Sequence, residues 1–206
     1  EAEKMGYDAE VNTDSCFVNV HVKGIGCHAM VPERGVNAVS RAMHLLAVLG
    51  EKLDCHSFAA SYEKYIADDY TGGLLGCACS DEESGALTFN PGKITLENND
   101  VKLLAGIRYP VSKKYESFAV CIKAVAEKMH CECKIIDHMG PIYFKRDDEV
   151  VVLLEKAYRD VTGDDVNQPF TVGAATFART MPNTVAFGPI FPEQEEMSHL
   201  PNEFIS

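Results

Sequence analysis

The chain has 206 residues, 46% hydrophobic and 24% charged, enough for one large domain or two small ones with a core that needs no disulfide or metal staple. A formal net charge of −12 argues against nucleic acid and anionic membranes as partners, because both call for basic surface. No apolar run approaches the ~18 residues of a membrane span, and nothing reads as a signal peptide.

In chain order, EAEKMG reads as the frayed end of a helix. SCFVNVHVKG (15–24) alternates, which predicts a half-buried strand with Cys16, Val18, Val20 and Val22 inward and Asn19, His21 and Lys23 outward. GIGCHAMVPERG (24–35) then places a single histidine, His28, on the corner before a helix. Apolar residues recur at Val36, Val39, Met43 and Leu46, so a helix is predicted from Glu33 to Leu49, with Pro32 in its first turn and Gly50 as the stop. A second helix is expected over 57–69. TGGLLGCACSDEESG (71–85) is glycine-rich, carries no phosphate-loop pattern and reads as a loop.

KITLE (93–97), Asn98-Asn99 and DVKLLAGIRYP (100–110) predict a hairpin, since Asn tolerates the positive φ of a tight turn. On its second strand Leu103, Ala105 and Ile107 share one face, and Lys102 and Arg108 the other. Ser112 is the expected cap of a helix over 113–130, whose stripe is Tyr115, Phe118, Ile122, Val125 and Met129. CECKIIDHM (131–139) reads as a strand. The first 140 residues therefore spell β-α-(α)-β-β-α-β, the ferredoxin-like order, an antiparallel sheet with helices on one face. Beyond Gly140-Pro141, Asp147, Asp148 and Glu149 open a helix that runs to Thr162 and stops at Gly163. TVGAATFAR (171–179) and TVAFGPI (184–190) read as turn-helix and strand. This tail is too short for an independent α/β domain and is expected to need a partner from outside the chain. PNEFIS closes the sequence with Ser206 placed like an N-cap, so both ends look cut and an excised fragment is expected.

Eight cysteines sit at 16, 27, 55, 77, 79, 121, 131 and 133, most of them inside apolar segments. Free thiols in a reducing cytoplasm are expected rather than disulfides. Cys77-Ala-Cys79 and Cys131-Glu-Cys133 lack the C-x₂₋₄-C spacing that zinc sites favour; a cysteine-based metal module stays open as a third reading. His199 lies in a loop just past a predicted strand, where α/β sheets bind ligands, but on the residues alone a surface histidine on a polar loop is the favoured reading. Arg108 alone reads as a solvated strand charge.

Taken together, GCHAMVPERGVNAV, GIRYP, the TVGAATFAR turn and VAFGPIFPEQEEMSHLPNEFIS resemble the dinuclear zinc dipeptidase branch of the aminoacylase/carnosinase family, of the PepV type. The resemblance covers most of the chain. It implies an inserted, ferredoxin-like lid domain closing over a catalytic α/β domain that holds two zinc ions. It implies that His28 polarises the scissile carbonyl and stabilises its oxyanion, that Arg108 binds the free carboxylate of a dipeptide, and that His199 ligates zinc. The glycine turn that approaches substrate falls on Gly173 and Ala174. Physical chemistry agrees: an oxyanion donor acts most strongly on a closing lid, and a planar guanidinium matches a carboxylate.

Two departures qualify this. The family turn G-G-G-T is Gly173-Ala174-Ala175-Thr176 here, and the added methyls are expected to strain it. The remaining zinc ligands and the general base belong to an N-terminal segment with H-x-D and paired-glutamate motifs that these residues lack, and one histidine cannot hold two zincs. The expectation is therefore α+β: a lid at 1–140, then an incomplete catalytic-domain portion at 141–206. The parent would be a cytoplasmic metallo-dipeptidase and the fragment alone inactive. The alternative is a non-catalytic peptide-binding module of the same fold.

Overall fold

A β-hairpin opens the chain in the computed structural model, which describes residues 1–98, 100–188, 190–194, 197, 198 and 202–204. Ala9–Thr13 (β1) pairs antiparallel with Val18–Val22 (β2), Val11 opposite Val20. The Asp14 carboxylate closes the turn by accepting from the amides of Cys16 and Phe17 at 2.9 and 2.8 Å. The expected strand is present, but its apolar face is not half-buried: Val18 is 67% exposed and Val20 45%. Among the described residues β2 pairs with β1 alone, and α1 also contacts it.

The first long helix starts later than expected. Pro32–Arg34 forms a separate 3₁₀ turn, Gly35 is extended, and Val36 pairs back to Ile25. Asn37 then caps Ala38–Leu49 (α1), its side-chain oxygen accepting from the amides of Val39 and Ser40 at 2.8 and 3.2 Å. His56–Tyr65 (α2) packs on α1 and ends short of the expected boundary, because Ala67 takes a positive φ of 46°. Between the helices the Ser40 hydroxyl meets the Tyr62 hydroxyl at 2.9 Å and donates to the Ala67 carbonyl at 3.1 Å.

Ser80–Asp81 (β3) and Gly85–Ala86 (β4) form a minimal hairpin inside the stretch expected as loop. Thr88–Glu97 (β5) and Asp100–Arg108 (β6) form the long hairpin, Glu97 opposite Asp100, with Asn98 at φ 52°. A bulge between Pro91 and Lys93 accommodates the proline within β5. Leu103, Ala105 and Ile107 pack against the core and Leu104 faces out, as the alternation predicts. The core joins Met43, Ala59, Tyr62 and Ile66 to Leu75, Leu87 and Phe89, and to Phe118 and Val125 of Tyr115–Lys128 (α3). Ser112 does not cap α3; Lys114 holds that position, and the Ser112 amide donates instead to Asp81 at 3.0 Å.

Two expected strands are absent among the described residues. Residues 131–139 run irregularly after α3, with Ile136 80% exposed, because no strand edge lies beside them to complete a ladder. Residues 184–188 and 190 are likewise irregular; Pro189 lies outside the described residues. Glu149–Thr162 (α4) forms as expected, and Thr176 caps a 3₁₀ turn at Phe177–Thr180. Among the described residues the architecture is mixed α/β, four α-helices with three separate two-stranded antiparallel sheets. The expected four-stranded sheet is not assembled, since β2 and the 131–139 segment do not pair with the β5–β6 hairpin. Among the described residues no helix is long and apolar enough to cross a membrane.

Candidate functional site

His28 stands on a loop pinched at its base. Ile25 and Val36 exchange two main-chain hydrogen bonds, 3.0 and 2.9 Å. That pinch requires a glycine: a Cβ on Gly35 would sit 2.6 Å from both Cys27 Sγ and the Ile25 carbonyl. Asn37 anchors the far end, donating from Nδ2 to the Pro91 carbonyl at 2.8 Å. Inside the loop the Val31 amide donates to the His28 carbonyl at 2.9 Å, and the Met30 amide donates to His28 Nδ1 at 3.2 Å. The imidazole is half-buried.

Arg108 closes β6 on its outward face. Its Nε donates to the Gly173 carbonyl at 2.9 Å and its Nη1 to the Ile107 carbonyl at 3.3 Å. Among the described residues no carboxylate pairs with it. The guanidinium is thus aimed by neutral carbonyls while its charge stays uncompensated, the condition for capturing an anion from outside.

Gly173 joins the two. A methyl on Gly173 would lie 2.9 Å from Met30 Cβ and 3.9 Å from Arg108 Cγ. The turn of 173–176 therefore rests on the His28 loop on one side and on Arg108 on the other. It is tied further by Thr171 Oγ1, which donates to the Glu83 carbonyl at 2.6 Å. Of the predicted site residues, Gly173 lies against Arg108 and against Met30, two residues on from His28; His199 lies outside the described residues. Neither Ala174 nor Ala175 takes a positive φ, so neither needs the left-handed conformation that favours glycine. Gly173 is a position of this turn where an added methyl would press on Met30.

Met30 and Asn37 escaped the sequence reading. Asn37 carried a signal, an Asx residue ahead of an apolar helical pattern, which the more conspicuous Pro32 masked. Met30 carried none. It also lines a cavity of about 440 Å³ beside the loop, shared with Glu33, Asp68, Tyr70, Leu87 and Thr88. Among the described residues, no cluster of three or more His, Cys, Asp or Glu side chains could hold a metal ion, so the donor set described here does not fit a dinuclear zinc centre. Burial pushes the Cys77 thiol up to about 11, reinforced by Cys121 and Cys79, and raises Cys79, so both thiols are protonated at neutral pH.

Comparison with known proteins gives one family match and several relatives. Residues 13–102 match the family model described as the peptidase dimerisation domain. The chain is similar to proteins named "putative dipeptidase". One, from Staphylococcus saprophyticus, is 32% identical over 200 residues, 97% of this chain and 42% of that protein. Others, from Staphylococcus aureus strains MW2 and USA300, are 30% and 29% identical over 205 residues, 99% of this chain and 44% of each. The chain thus spans about two-fifths of the length of the curated relatives it matches. The matched region 13–102 carries the His28 loop and the β5–β6 turn, and stops before Arg108 and the Gly173 turn.

Proposed function

We propose that this chain belongs to a metallopeptidase of the dipeptidase kind and supplies the part that covers and grips the substrate. Residues 1–140 would serve as the lid and residues 141–206 as part of the catalytic domain. The longer protein would be cytoplasmic, with a ferredoxin-like sheet completed by pairing beyond the three hairpins of this chain. The single observation that carries the reading is the convergence of Arg108, with its uncompensated charge, and the His28 loop on the Gly173 turn. The relatives named dipeptidase support the same chemistry.

In this reading the Arg108 guanidinium binds the free α-carboxylate of a dipeptide and fixes its register. The His28 imidazole donates a hydrogen bond to the scissile carbonyl oxygen and holds the negative charge that develops there. The Gly173-Ala174 turn forms the wall against which the peptide lies. The two zinc ions that the resemblance implies would be held mainly by residues beyond this chain, with His199 as one ligand, and would supply Lewis-acid chemistry. The 206 residues by themselves are expected to be inactive.

The test is dipeptide hydrolysis by the full-length protein containing this chain, loaded with zinc. Cleavage that disappears when the dipeptide's carboxylate is amidated supports the reading. Replacing Arg108 with Ala should raise KM by roughly tenfold to a hundredfold, the worth of a lost charged hydrogen-bonded pair. Absence of any dipeptide cleavage by the zinc-loaded protein would refute it. Calorimetry showing dipeptide binding without turnover would favour a non-catalytic binding module, which the Ala174-Ala175 departure recommends.

A further inference from the structure

We propose that the main-chain amide of Met30 fixes His28, in its neutral form, as the tautomer protonated on Nε2. Met30 is thereby a positioning residue for the hydrogen bond that His28 gives to substrate; this purpose rests on the reading of His28 above, while the tautomer itself does not. A neutral imidazole has one donor nitrogen and one acceptor nitrogen. The Met30 amide can only donate, and it points at Nδ1 from 3.2 Å. Nδ1 must then accept, and the ring proton resides on Nε2. With the proton on Nδ1 instead, two N–H groups would face each other, and Nε2 would present a lone pair to an oxygen gaining negative charge.

The surroundings keep this amide in place. The Val31 amide bonds the His28 carbonyl, so the short 28–31 segment is held at both its backbone and its ring. The Ile25 and Val36 bonds close the loop behind it. Gly173 abuts Met30 from the opposite side, where even a methyl would be too close to Met30 Cβ. The Arg108 bond to the Gly173 carbonyl links that contact to the carboxylate-binding group. Gly173 thus touches both Arg108 and the residue whose amide holds the His28 ring.

The deciding measurement is a long-range ¹H–¹⁵N correlation spectrum of the ¹⁵N-labelled 206-residue chain, at a pH where its imidazoles are neutral. His28 is assigned from the signals lost in His28→Ala. His21, on the exposed strand β2, serves as the internal reference for a solvated ring that samples both tautomers. His28 is expected to show one pure pattern, Nε2 protonated and Nδ1 unprotonated, while His21 shows an average. Met30→Ala, which keeps the amide, should leave the pure pattern, and Met30→Pro, which deletes the amide, should return His28 to the average seen for His21. A His28 spectrum like that of His21, or one protonated on Nδ1, overturns the proposal even if Met30→Pro fails to fold. In the full-length protein His28→Ala should lower kcat roughly a hundredfold to a thousandfold, as for the loss of one oxyanion donor. If the pure tautomer is found and turnover survives His28→Ala, the dipeptidase role of His28 falls and the tautomer assignment stands.

Discussion

Replacing Gly173 with Ala probes the contact that brings the two halves of the site together. The new Cβ would start 2.9 Å from Met30 Cβ, nearer than carbon atoms pack, so one of the two chains must move. Overpacking in a closed core costs about 1–3 kcal/mol. Gly173 is exposed and its turn can retreat, so the lower end applies, but retreat lengthens the 2.9 Å bond from Arg108 Nε to the Gly173 carbonyl, worth about 1 kcal/mol. A net loss of about 1–2 kcal/mol follows by adding these. The clash is with Met30 Cβ, so trimming the rest of that side chain gives no relief, whereas Met30→Gly does. Urea denaturation of the four members of the Gly173→Ala and Met30→Gly cycle measures the coupling, expected near 1 kcal/mol in favour of the double variant. Strict additivity of the two single effects would show that Gly173 does not rest on Met30, and the convergence argued for the site would lose its basis.

The remaining outcomes concern the frame that holds the loop. Asn37→Ala should destabilise the chain by about 2 kcal/mol, combining a lost helix cap with the lost bond to the Pro91 carbonyl, and should be read from the shift of the denaturation midpoint. Tyr62 is fully buried, and burial pushes its hydroxyl up to about 12, against the lowering effect of the Ser40 bond. A raised acid is favoured in its neutral form, so this stabilisation is complete below the ordinary tyrosine range near 10 and is lost as pH climbs from there toward about 12. Tyr62→Phe should cost about 1 kcal/mol at neutral pH and flatten the alkaline decline in denaturation midpoint. The Asp81 carboxyl is held well below its usual range. Burial works against that, and the hydrogen bonds from Ser112 and Ser84 outweigh it. A lowered acid stabilises the fold above the ordinary aspartate range near 4 and loses that contribution as pH falls below it, so Asp81→Asn should make the thermal midpoint less dependent on pH in the acid range.

Legibility in the sequence followed how local each cause was. The β5–β6 hairpin was readable because the alternation of Leu103, Ala105 and Ile107 and the Asn98-Asn99 turn are neighbours in sequence, and the α3 stripe shows the same thing at helical spacing. The start of α1 misled because Pro32 fits a first turn on its own, and the competing signal, Asn37, works through amides two and three residues on. Residues 131–139 alternate as a strand should, but a strand exists only beside an edge, and none among the described residues pairs with them. β1 was invisible because AEVNT places so few apolar residues on its inner face. His28, Arg108 and the glycine turn could each be named from motifs, yet their convergence could not. Arg108 and Gly173 are 65 residues apart, and what joins them is one carbonyl and one missing methyl.

The distribution of apolar surface explains why such a slight join suffices. Except for Ala178, the buried hydrophobic residues of the described chain all fall at or before Val125. α4 buries none of its residues fully, and Phe170 and Phe177, on either side of the Gly173 turn, are 85% and 87% exposed. The hairpin that carries Arg108 therefore stands on a completed core, and the turn that receives it stands on a segment whose apolar side chains are largely uncovered. Exposed apolar area of that extent is stabilised when another surface covers it. If the covering surface is the rest of a catalytic domain, the turn becomes as rigid as the hairpin. Arg108 and Gly173 then report the approach of one body to the other. On the reading proposed above, a group that binds a carboxylate as a lid closes would be well placed at this junction, where Arg108 and Gly173 already share a hydrogen bond, since closing would add a ligand to the junction without having to build it.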